Sequence, residues 1–182
     1  MEPIVGRIER ARGLDGLAAA AQALVRKVVP VGPAEDVLRG RPLGHPLHPA
    51  LVVLPIGAWT SAIAADVLRE PTAARKLTAL GCVSALPAAL AGGVDWLSTD
   101  GARRRVGLVH AVLNDSALIC FTQSWRARRR GHRGRGFLAS LAGGGLLTAG
   151  AWLGGHLAYS QGVGVDLTGF AARQGEREPA QA

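Results

Sequence analysis

The chain has 182 residues, 48% hydrophobic and 19% charged, with a formal net charge of +8 and a mean hydropathy of +0.20. The length suits one domain, but the charges crowd into tails and short connections, which argues against an ordinary soluble surface. The arginines flank apolar segments and do not line a reading face, so the basic excess points to anionic lipid headgroups and away from nucleic acid.

In chain order, residues 1–12 are charged and are expected to form a mobile tail, with no apolar core or cleavage site of a signal peptide. Residues 14–29 set Leu14, Leu17, Ala21, Leu24 and Val28 at helical spacing, an amphipathic helix too short and too charged to cross a bilayer, expected to lie on the membrane surface. Pro30-Val31-Gly32-Pro33 ends it, and a short turn over 34–41 leads on. Residues 1–40 therefore form an N-terminal region, 41–166 a membrane domain, and 167–182 a polar tail expected to be disordered.

Four apolar segments follow, at about 50–68, 76–97, 106–125 and 137–159. Each matches the ~20 residues that a helix needs to cross a ~30 Å hydrocarbon core. None shows a strand's two-residue alternation, and an open sheet does not survive in lipid. The connections are short, so neighbours run antiparallel. The predicted fold is an all-α integral membrane protein, an up-down four-helix transmembrane bundle with an N-terminal interfacial helix. Small residues four apart predict the packing seams: Gly57/Ser61/Ala65, Gly81/Ala85, Ala88/Gly92 and Gly150/Gly154. Cys82 and Cys120 lie inside apolar segments with no pairing pattern and read as packing residues.

The polar groups of the spans converge. His45 and His48, in Gly44-His45-Pro46-Leu47-His48-Pro49, precede the first span, and Asp95 ends the second. His110 lies a turn inside the third and His156 a turn from the end of the fourth. In an up-down bundle all five fall on one side, within a slab ~10–15 Å thick, while His132 falls opposite. Ionisable groups in a membrane are costly and tend to mark function. Two chemistries fit: a b-type haem held by His110 and His156, or a bare copper, zinc or iron ion held by three or four of His45, His48, Asp95, His110 and His156. His110 shares a helix face with Asn114, and His156 with Thr148 and Trp152; these faces are expected to point inward, with Asn114 or Thr148 orienting an imidazole. Asp115, near mid-membrane, should be protonated or bonded to a neighbouring helix, and Asp66 should pair with Arg69 or Arg75.

Four stretches carry a family resemblance: 43–59 (LGHPLHPALVVLPIGAW), 92–96 (GGVDW), 107–115 (GLVHAVLND) and 154–165 (GGHLAYSQGVGV). They resemble the bacterial four-helix membrane domain of unknown function twenty-two thirty-one, over roughly 40–166. The resemblance implies the topology, a multi-pass place in a bacterial plasma membrane, and importance for His45, His48, Asp95, His110 and His156. That domain often stands alone or ahead of a Rieske-type iron–sulfur domain, which implies electron transfer. Two cysteines here cannot ligate such a cluster, so an iron–sulfur partner would be a separate redox protein.

The expected function is haem or metal binding at one membrane face, in electron transfer. The alternative is a non-redox scaffold or transporter-like protein whose histidines are structural. No nucleophile, phosphate loop or acid–base carboxylate pair marks it as an enzyme. Expected partners are membrane lipids, a separate redox protein and a second copy of the chain. The density of basic residues in the loops opposite the histidines (Arg69, Arg75, Lys76, and Arg126 to Arg135) favours the histidine side outward.

Overall fold

The computed structural model describes residues 2–164; the tail expected to be disordered, 167–182, lies outside them. Seven α-helices follow in order: α1 Glu2–Arg10, α2 Asp15–Val28, α3 Pro33–Leu38, α4 His48–Val67, α5 Pro71–Trp96, α6 Gly101–Arg129 and α7 Arg133–Gly155. A π-helical turn, His156–Ser160, continues α7. Helices α4 to α7 are long and apolar enough to cross a membrane, and no strand occurs among the described residues. Helices α5 and α6 begin about a turn before the predicted spans. Hydropathy marks where lipid would end; the helix runs on through Pro71 at an N-terminal position, where proline is favoured, and through the arginines at 103–105.

The four long helices form two antiparallel hairpins, α4 against α5 and α6 against α7. The second hairpin repeats the first at an offset of 62 residues. The buried positions of α7 (Gly136, Ser140, Gly143, Gly150, Leu153) fall on those of α5 (Ala74, Thr78, Gly81, Ala88, Ala91). Trp59 of α4 fits against Gly81, where a Cβ would strike its ring, and Phe121 of α6 fits against Gly143, where a Cβ would lie 2.9 Å away. Even the turns agree: Arg69 after α4 has φ 62°, and Gly131 after α6 has φ 80°.

Equivalent residues then meet across the centre. The Trp59 and Phe121 rings stack with centroids 4.3 Å apart at 4°. Asp66 pairs with Arg128 through two hydrogen bonds of 2.5 and 2.7 Å, and His48 faces His110. Since α4 and α6 run the same way, the hairpins are related by a pseudo-two-fold axis along the bundle, the relation of parallel membrane repeats. Asp66 thus reaches neither Arg69 nor Arg75 as expected. Its partner is the buried Arg128, which Ser124 and Ser140 also hold, at 3.0 and 2.9 Å.

Further sequence expectations change. Residues 2–10 are not a loose tail but the helix α1, which seats Val5 and Ile8 against Val106, Leu153 and Leu157, while Arg105 donates to the Glu9 carbonyl. Helix α2 packs Ala18 on Trp96 and Leu108, and Gln22 donates to the carbonyls of Trp96 and Thr99, closing the end of α5. The predicted seam at Gly57 and Ser61 faces outward, with open space beside Gly57, whereas Gly81, Gly92, Gly150 and Gly154 receive side chains from the next helix.

Candidate functional site

The site grows from the way each hairpin docks its histidine. Gly92 leaves room one turn beyond Ala88, and the His48 ring fills it: a Cβ on Gly92 would lie 2.8 Å from the ring. There His48 Nδ1 donates to the Ala88 carbonyl at 2.8 Å. In the second hairpin His110 sits over Gly154, where a Cβ would lie 2.9 Å from its Cε1, and Nδ1 donates to the Gly150 carbonyl at 2.9 Å. Both bonds span 40 residues, the same bond made twice.

A carbonyl only accepts, so each Nδ1 carries a proton, and any lone pair the ring offers is at Nε2. Histidine binds metals through either ring nitrogen, and a carbonyl on the other one is a usual support. The two rings stand edge to face, centroids 6.4 Å apart at 82°, at the pseudo-two-fold axis. Asn114, one turn along α6, donates to the His110 carbonyl at 2.7 Å and holds its amide nitrogen 3.4 Å from His110 Nε2. Asp95, half-buried at the end of α5, lies within electrostatic reach of His48. Gly164 passes close to its carboxyl.

The five predicted residues do not form one cluster. His48, His110 and Asp95 gather at this end of the bundle. His45 is exposed, its Nδ1 3.3 Å from the Pro46 carbonyl. His156 turns away to Glu9 of α1, Nε2 to Oε1 at 3.3 Å, and Gln161 donates to the same oxygen at 2.6 Å. Among the described residues no three His, Cys, Asp or Glu side chains form a metal-holding group. Nor do Thr148 and Trp152 face inward. The inner face of α7 is glycine, serine and leucine, which lets α6 approach closely, so its bulkier polar residues turn outward.

That close approach bears on the haem. A Cβ at Gly150 would lie 2.7 Å from Asn114, and one at Gly154 is already crowded by His110. A porphyrin does not fit between helices that leave no room for a methyl group, and His156 faces α1, so the residues present do not fit a haem between His110 and His156.

Sequence reasoning missed the repeat, and with it the pairing of His48 with His110. The signal was there: Gly92-Gly93 and Gly154-Gly155 stand at the same 62-residue offset as the two histidines. A family model described as "Predicted membrane protein (DUF2231)" matches residues 44–167. No curated protein and no solved structure matches the chain.

Proposed function

The chain belongs to the family described as Predicted membrane protein (DUF2231), and from that premise we propose that it is a multi-pass membrane protein holding one transition-metal ion between His48 and His110. The observation that carries this reading is the doubled histidine: two imidazoles at the axis, each fixed by a carbonyl at Nδ1 so that Nε2 is the nitrogen left to bind. Asp95 would supply charge balance, and Asn114 would hold the His110 ring in place. Copper or iron would make the centre a one-electron carrier for a separate redox protein at the same face; zinc would make it structural. The setting proposed is a bacterial plasma membrane, as the family resemblance implies.

The test is elemental analysis of protein purified with each metal, alongside absorbance in the haem Soret region. One ion per chain is expected, lost in His48→Ala and in His110→Ala because two ligands cannot spare one. His45→Ala, His132→Ala and His156→Ala should keep it. A folded, metal-free wild type would overturn the reading.

A second reading has its own observation, the seating of His48 over Gly92 and His110 over Gly154. As clamps, the histidines would hold each hairpin shut by interhelical hydrogen bonds of about 0.6–2 kcal/mol. Their replacement would then lower thermal stability and leave no metal to lose.

A further inference from the structure

We infer that the outer face of α6 is the contact of a symmetric dimer, in which the Asp115 and Gln123 of one copy meet those of a second. Val112, Asp115, Ile119 and Gln123 are all exposed and lie on one side of α6 at helical spacing. Asp115 stands ten residues from Arg105 and eleven from Arg126. At 1.5 Å per residue that is ~15 Å either way, the middle of a ~30 Å core. Neither Asp115 nor Gln123 has a side-chain hydrogen bond among the described residues, and no described cation pairs with Asp115. A carboxyl facing hydrocarbon at that depth costs ~3 kcal/mol even on insertion scales, and such groups pair with other polar groups. Of the two expectations for Asp115, a protonated carboxyl or a bond to a neighbouring helix, the bond is not made among the described residues, because Asp115 points out of the bundle.

The repeat supplies the control. At the same positions α4 carries Ala50, Val53, Gly57 and Ser61, with Val53 68% exposed, an ordinary lipid-facing surface. The polar face is therefore a property of the second hairpin alone.

A second copy is the occupant because the face is complementary to itself. A carboxamide donates and accepts, so Gln123 bonds its own equivalent; two carboxyls across an axis share one proton instead of both ionising. Copies inserted in one orientation bring equal depths together. Docking α6 of one copy on α4 of the next would instead oppose Asp115 to Val53 and leave its need unmet.

The experiment places Ile119→Cys in a chain with Cys82→Ala and Cys120→Ala, reconstituted in phosphatidylcholine–phosphatidylglycerol vesicles and oxidised with iodine, with photobleaching steps counting copies at rising protein density. A disulfide joining the introduced thiols of two copies is expected, and none from Val53→Cys. Asp115→Leu with Gln123→Leu should weaken association about tenfold, two interhelical hydrogen bonds' worth. Asp115→Asn keeps the hydrogen bond and should still dimerise, a check that does not depend on the leucine variant. Monomers at every density would overturn the inference. So would equal cross-linking at Val53, preferential pairing of Ile119→Cys with Gly57→Cys, or a leucine variant as tightly associated as the parent.

Discussion

Two hydrogen atoms decide what the paired histidines can bind. Each Nδ1 must donate to its carbonyl, which leaves Nε2 as the nitrogen through which each histidine would bind, and glycine is what brings each carbonyl within reach. Gly154→Ala would put a methyl carbon 2.9 Å from His110 Cε1. The expected outcome is a ring displaced from the Gly150 carbonyl and a loss of about 1–3 kcal/mol of stability, read as a lowered unfolding midpoint, together with weakened metal retention. An unchanged midpoint and metal content would mean that the glycine does not seat the ring. The repeat makes a second prediction. Arg69 adopts the left-handed conformation that Gly131 adopts at the same point of the other hairpin, and an L-residue there costs roughly 1–2 kcal/mol. Arg69→Gly should therefore stabilise by up to about 1 kcal/mol after the greater freedom of unfolded glycine is subtracted; a lower midpoint would contradict this.

Among the elements, the N-terminal helices are tied to the bundle by charge. Arg105 holds the Asp15 carboxylate at 2.8 Å, with Arg104 at 3.6 Å, and the Arg105 hydrogen bond keeps Asp15 below the usual carboxylate range. A carboxyl lowered in the folded state stabilises above its unfolded value and loses that contribution as pH falls through its folded one. Helix α2 should thus stay docked at neutral pH and loosen only in acid, below the ordinary aspartate range, seen as a change in the fluorescence of Trp96, which Ala18 covers. In Asp15→Asn that acid step should vanish; a step near neutral pH would point to a histidine instead. The helices themselves were legible because apolar runs of membrane length have few alternatives. The docking of α1 was not, since Val5 and Ile8 are two apolar residues in a charged stretch, and only the folded groove beside Val106 and Leu157 gives them a partner. The surroundings of His156 were hidden for the same reason: its partner Glu9 lies 147 positions away. Sequence spacing reports depth along a span and says little about rotation around it, which is also why Thr148 and Trp152 were expected on the wrong side.

At the scale of the molecule, the pseudo-two-fold axis strings together His48/His110, Trp59/Phe121 and Asp66/Arg128. Such an axis makes a swap informative. Asp66→Arg alone would set two buried guanidiniums together, and breaking a buried pair costs about 3–5 kcal/mol. Asp66→Arg with Arg128→Asp should recover part of that in thermal unfolding, though not all, because Ser124, which holds Arg128, has Ala62 as its equivalent. No recovery would mean that the two sides of the axis are not interchangeable. One ion shared by the two hairpins is the central claim, and X-ray absorption of the metal-loaded protein tests it most directly. Two imidazole nitrogens at ~2.0 Å are expected, with no bound metal left to observe in His48→Ala and in His110→Ala and two nitrogens still in His156→Ala. A shell of three or more imidazoles, or one that loses a nitrogen in His156→Ala and none in His48→Ala, would contradict it.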